Sequence, residues 1–231
     1  MPRKRRSAVL AICALALAAA PRAAAQILEG AAKRPTVRAY VSAGIGYSDL
    51  QSVSDPGSGS VWVFSPGAQY RASLEIPAGR GLDVGVSGTW ARMPLGYATG
   101  LGDNESVACC LDAHATVSTL MATVHSGASA RRGFYSVLDI GVGILRFANF
   151  SADDGGDALP PRSNMDFIFG IGGGAGYAFS STLSATVVQD VGLSLHERGD
   201  LSNEVRTSVR HQTTRLGVRY GFATRTRRSS R

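Results

Sequence analysis

The stretch His211–Phe222 reads His-Gln-Thr-Thr-Arg-Leu-Gly-Val-Arg-Tyr-Gly-Phe and alternates. Leu216, Val218, Tyr220 and Phe222 fall on one face. Arg215, Gly217, Arg219 and Gly221 fall on the other. Side chains of a strand have period 2, so one face is apolar and the other carries two arginines and two glycines. Such a strand suits a soluble sandwich. It suits equally a membrane barrel, with the apolar face toward lipid and the small, charged face toward the lumen. The rest of the chain decides between the two.

The first 25 residues read as a cleaved secretory signal peptide. Arg3, Lys4, Arg5 and Arg6 form a basic start, Ser7–Ala20 a short apolar run, and Ala23-Ala24-Ala25 a cleavage site before Gln26. Beyond it no apolar run reaches the roughly 20 residues of a spanning helix. A membrane role therefore has to use strands. The formal net charge of +7 overstates the basic character of the fold. Basic residues crowd into the leader and into the tail after Phe222, and between Gln26 and Phe222 acids slightly outnumber bases. No basic stripe of the kind that binds nucleic acid stands out. Lys33 is the only lysine after the leader, whereas soluble β-proteins use lysine heavily on solvent faces and edges. Cys109 and Cys110 are adjacent and cannot staple distant strands.

Eight alternating segments follow: Val37–Tyr47, Ala68–Ile76 (with an earlier start near Trp62 as an alternative), Leu82–Trp90, Asp112–Val124, Phe134–Ile144, Asp166–Phe179, Leu183–Leu195 and His211–Phe222. The fourth alternates poorly and its faces are not assignable. In the seventh, Gln189 falls on the apolar face, as an exception or a bulge. Pro77–Gly81, His125–Gly133 and Ser180–Thr182 are short connections rich in turn residues. Ser48–Gly67, Pro94–Leu111, Ser151–Asn164 and His196–Ser208 are long and polar. Short and long alternate strictly, as in an up-and-down barrel with one turn end and one loop end. A Greek-key sandwich does not give this order.

The second face is mostly glycine, serine and threonine, with about one charge per strand. It carries Arg38, Arg71, Glu75, Asp83, Asp139, Asp166, Asp190, Arg215 and Arg219. A solvent face carries more charge, whereas a narrow eight-strand lumen needs small side chains and paired charges. We expect Arg38, Arg71, Glu75, Asp83, Asp139, Asp190, Arg215 and Arg219 to form a buried ion-paired network, because an unpaired charge there costs several kcal/mol. Tyr47, Trp90, Phe134, Tyr177, Phe179, Tyr220 and Phe222 end the apolar faces as an interface girdle would. The expected fold is all-β, an eight-stranded antiparallel up-and-down transmembrane β-barrel over 26–222, followed by an arginine-rich tail at 223–231.

On these residues the chain resembles the eight-stranded outer-membrane β-barrel proteins of the OmpA/OmpX type, over essentially the whole chain after the leader. The resemblance implies that the aromatic end of the last strand, Tyr220 and Phe222 here, is read by the barrel-assembly machinery. The chain departs from the pattern in that Ala223–Arg231 follows Phe222. The resemblance also implies an outer-membrane location, outer-membrane lipid and lipopolysaccharide as surroundings, and a monomer; the even strand count and the alternating turn lengths place both ends in the periplasm.

Other patterns read as structural. Gly170–Gly176 looks like a dinucleotide loop but lies inside an alternating strand, where no helix follows. Cys109, Cys110, Asp112 and His114 lack zinc-ligand spacing. Asp153–Asp157 and Asp103–Glu105 lack a full calcium pattern. His125-Ser126 is adjacent and His196 and Ser202 are six apart, wrong for the lipid deacylases built on some barrels. We therefore expect no catalytic residue, metal or cofactor. The expected function is a structural or surface-interaction barrel whose lumen is closed by paired charges. The alternatives are a small pore for ions or solutes and, more weakly, a secreted lipocalin-like binder.

Overall fold

The computed structural model describes residues 37–55, 57–79, 81–99, 110–127, 132–161, 163–196 and 208–223. The leader and most of the tail lie outside these residues. Ten antiparallel strands are present among them: β1 Val37–Leu50, β2 Val53–Asp55, β3 Ser60–Phe64, β4 Gly67–Gly79, β5 Leu82–Thr99, β6 Leu111–Ser126, β7 Gly133–Ala152, β8 Ser163–Ala178, β9 Leu183–Leu195 and β10 Ser208–Ala223. Eight of them close a ring. Each of β4 to β10 pairs with its neighbours in sequence order, and β1 pairs with both β4 and β10. No free edge remains in that ring, which removes the hazard of an exposed strand.

The connection Ser48–Gly67, expected as a loop, is instead largely strand. Val53 opposite Trp62 keeps the register of Ser48 opposite Gly67, so β2 and β3 continue the β1–β4 hairpin upward. β3 also pairs with the far half of β5, from Ser60 opposite Thr99 to Phe64 opposite Leu95. The break between β3 and β4 falls at Ser65-Pro66. Proline has no N–H for the ladder, and Ser65 donates to the Pro94 carbonyl at 2.8 Å. At the opposite end the turns are tight. Gly79 and Gly81 both hold positive φ, 94° and 78°, which glycine adopts without steric cost.

The outward faces form a continuous apolar band. On β7 it runs from Phe134 (79 % exposed) through Leu138, Ile140 and Val142 to Ile144. Its length fits the roughly 9–11 residues of a tilted membrane strand. Aromatic pairs edge it on both sides. Tyr70 stacks on Trp90 at 6.0 Å toward the loop end. Phe134 meets Tyr177 at 4.9 Å, Tyr177 meets Phe179 at 5.2 Å, and Tyr220 meets Phe222 at 5.2 Å toward the turn end. Such rings suit a lipid–water boundary. Gln189 is on this wall without a bulge: its strand pairs continuously on both sides. Its amide oxygen accepts from Thr214 Oγ1 at 2.5 Å, which satisfies the polar group locally.

Inside, the barrel has two halves. The turn half is polar and charged. The loop half is an apolar core built from Trp62, Phe64, Met93, Val117, Leu145, Phe147 and Phe150, among others. The expectation of a uniformly small and polar lumen is thus corrected for the loop half. β6 shows how the two halves join. Its inward positions run Ala113, Ala115, Val117, then Thr119, Thr123 and His125, while its outward ones run Asp112, His114, Thr116, Ser118, then Leu120 and Val124. The hydrophobic face changes sides near Ser118–Leu120. Beside lipid the outside must be apolar; above it the outside meets water and the inside is packed. That inversion is why the fourth segment had no assignable faces.

Candidate functional site: the lumen and the outer wall above the band

The turn half of the lumen holds two ion clusters. Arg215 donates from Nε to Asp190 Oδ2 at 2.5 Å and from Nη2 to Asp139 Oδ2. Arg71 adds a longer contact to Asp190 at 4.0 Å. Arg219 donates from Nε to Glu75 at 2.9 Å and from Nη2 to Asp83. Its guanidinium carbon lies 3.5 Å from the Tyr40 ring centre, a cation–π contact. Ser73 donates to the second Glu75 oxygen at 2.6 Å. The strand order explains the pairing. Arg215 and Asp190 come from adjacent strands β10 and β9, whereas Arg219 reaches across β1 to β4 and β5.

Seven of the eight lumen residues named from the sequence meet here. Arg38 does not. It is exposed, beyond the first β1–β4 pair at Tyr40 opposite Glu75, and β1–β10 pairing is irregular between Val37 and Ala39. Parity placed Arg38 on the inner face, but the strand end carries it out of the lumen. Asp166, also on the inner face, lies apart in the loop half, where it accepts from His196 Nδ1 at 2.8 Å. Sequence reading missed His125, assigned to a turn. It is the penultimate residue of β6, buried, and bonds Asp139 Oδ1 from Nδ1 at 2.6 Å.

The β8 glycines supply the space. A Cβ at Gly172 would sit 2.1 Å from Asp190 Oδ1, and one at Gly176 would sit 2.3 Å from the Tyr135 ring. Interior glycines of a strand commonly mark such close approach. Between the ion clusters and the apolar core is a cavity of about 50 Å³, bordered by Gln69, Arg71, Thr123 and Asp190. It has room for a few waters, and the otherwise unpartnered Gln69 Nε2 and Thr123 Oγ1 belong to residues on its border. Above it, Trp62 is fully buried, 5.4 Å from Phe147 and 4.6 Å from Phe150 between ring centres.

The ring, the turn and loop ends and the apolar band now permit a comparison. The chain is similar to Neisserial surface protein A, with 16 % identity, a TM-score of 0.51, and coverage of 80 % of this chain and 97 % of that one. The fold is that of an eight-stranded outer-membrane β-barrel. OprG from Pseudomonas aeruginosa (12 % identity, TM-score 0.48, 83 % and 98 % covered) and a major outer membrane protein from Thermus thermophilus (18 %, 0.48, 80 % and 99 %) are more distant likenesses. No protein-family model matches the sequence, and a search of curated proteins finds no relative.

A second polar cluster stands on the outer wall of the barrel, above the band. His114 of β6 faces outward. Its Nδ1 lies 2.7 Å from Asp153 Oδ1, and its Nε2 lies 2.7 Å from Ser151 Oγ. Arg92 Nη2 of β5 also donates to Nε2. Ser151 is in β7 opposite His114, and Asp153 follows that strand. In the sequence His114 and Asp112 group with the cysteines, and Asp153 falls in a separate acidic run. Cys110 is disulfide-bonded, and Cys109 lies outside the described residues. The partners of His114 here are Arg92, Ser151 and Asp153.

Proposed function

We propose that this chain is an integral outer-membrane protein with a structural or surface-interaction role and a lumen closed to solutes. One observation carries the reading: the two halves of the interior are occupied by different kinds of side chain. Arginines and carboxylates fill the turn half, and buried aromatics around Trp62 fill the loop half. An eight-strand barrel is just wide enough for side chains to fill. A pore would need a path past both layers. A secreted binder would present the whole apolar band to water, far beyond the exposed patches that soluble proteins tolerate.

In this reading the outer wall meets outer-membrane lipid and lipopolysaccharide as a monomer. Both chain ends are on one side, because the strand number of the ring is even, and that side is the periplasm, where such barrels place their short turns. The long connections face outward and carry whatever surface contacts the protein makes. Tyr220 and Phe222, at the turn-end edge of the last strand, serve as the signal read by the barrel-assembly machinery. Cell fractionation combined with gel mobility before and after boiling tests the placement. We expect recovery in the outer-membrane fraction with a boiling-dependent shift; recovery as a soluble periplasmic or secreted protein would refute it.

A further inference from the structure

We propose that Ser151, His114 and Asp153 form a serine-hydrolase site on the outer wall of the barrel, acting on carboxylic esters. The proposal goes beyond the structural role above and rests on the outer-wall cluster alone. A triad is recognised by geometry and roles rather than by sequence order. Here the nucleophile, base and orienting acid stand in line: Ser151 Oγ at 2.7 Å from His114 Nε2, and His114 Nδ1 at 2.7 Å from Asp153 Oδ1. Both distances are within hydrogen-bond reach for a base and its nucleophile.

Arg92 fixes the tautomer. A guanidinium only donates, so its bond to Nε2 requires a lone pair there. The imidazole proton is then on Nδ1, donated to Asp153, and Ser151 donates its hydroxyl proton to Nε2 in a shared bond. This is the tautomer in which His114 can act as base.

The chemistry balances with water as the only co-reactant. Arg92 swings off His114 Nε2 as Ser151 Oγ adds to the ester carbonyl; the hydroxyl proton passes to the freed Nε2 lone pair, and the carbonyl electron pair moves onto oxygen. Collapse expels the alkoxide, which leaves as the alcohol with the proton from His114. A water molecule, deprotonated by His114, then attacks the acyl-Ser151 ester. The carboxylic acid leaves and Ser151 regains its proton. Asp153 touches no reacting atom and is a positioning residue. The cluster opens sideways, above the band that ends at Trp90, Leu120 and Ile144. An ester carried by a lipid or another amphiphile reaches it along that wall.

The same contacts also tie an irregular stretch of β6–β7 pairing, between His114 and Thr116, so the test has to separate holding from catalysis. The full chain, purified in detergent and shown to be folded by its boiling-dependent gel shift, is treated with a fluorophosphonate probe and assayed with p-nitrophenyl butyrate. We expect a single adduct on Ser151 and steady ester turnover. Ser151→Ala should abolish both. His114→Gln should lower kcat by about 100-fold or more. Asp153→Asn should lower kcat with KM unchanged, and Asp153→Glu should recover part of it. Arg210→Gln, on β10, should leave the activity intact. An unmodified Ser151 in the folded parent, or turnover equal in parent and His114→Gln, would overturn the proposal.

Discussion

Gly172 and Asp190 are interlocked across β8 and β9: a Cβ on the glycine would lie 2.1 Å from the carboxylate oxygen Oδ1. The pair face each other in register, and Asp190 is the residue through which Arg215 and Arg71 are joined. The small residue is therefore part of the ion cluster although it carries no charge. Gly172→Ala should push the carboxylate off Arg215 and destabilise the barrel by about 1–3 kcal/mol, as overpacking does. Urea unfolding midpoints in lipid vesicles measure it. No change would mean that the cluster has slack.

Asp190→Ala removes one of the two carboxylates on Arg215 and the 4.0 Å partner of Arg71. Leaving buried positive charge uncompensated should cost about 3–5 kcal/mol. Asp190→Leu combined with Arg215→Met should recover much of that loss, because both the charge and its need for a partner are gone. A double variant as unstable as the single one would show that Asp190 acts by some route other than charge pairing.

The eight-strand ring was legible because lipid outside and small groups inside impose period 2 on residues such as Leu216, Gly217 and Val218. The loop half was not. Above the band the apolar side chains move inward, so β6 keeps its period while its phase reverses around Ser118–Leu120. Trp62 falls where the second strand could begin early or a loop could run, and only pairing with β5 reveals it as core. Parity also misled at Arg38, which lies past the last β1–β4 pair and at the irregularity in β1–β10 pairing. His125 was lost to a misplaced turn boundary. The His114–Ser151–Asp153 line was invisible because β6–β7 register, and not sequence spacing, brings those residues together.

Phe222→Ala should lower assembly more than deletion of Ala223–Arg231. Phe222 lies in β10 opposite Ala39 of β1, at the seam that closes the ring, and packs on Tyr220. The boiling-sensitive folded fraction in isolated membranes gives the readout. Equal assembly of Phe222→Ala and the parent would remove the aromatic strand end as the signal.

Protease added to intact cells should cut near Gly155, which is exposed between β7 and β8 at the loop end, or near Asp200. It should spare Arg227 in the tail. Cleavage at Arg227 with Gly155 protected would reverse the proposed topology.

Conductance across a planar bilayer tests the closed lumen most directly. The proposed closed lumen, filled by the Arg215–Asp190–Asp139 cluster and the Trp62–Phe147–Phe150 core, predicts no steady current from the folded parent. Asp190→Ala and Trp62→Ala combined should bring measurable leakage. A steady ohmic current from the parent, unchanged in both conductance and protein stability by Asp190→Ala, would contradict the account and make the chain a pore.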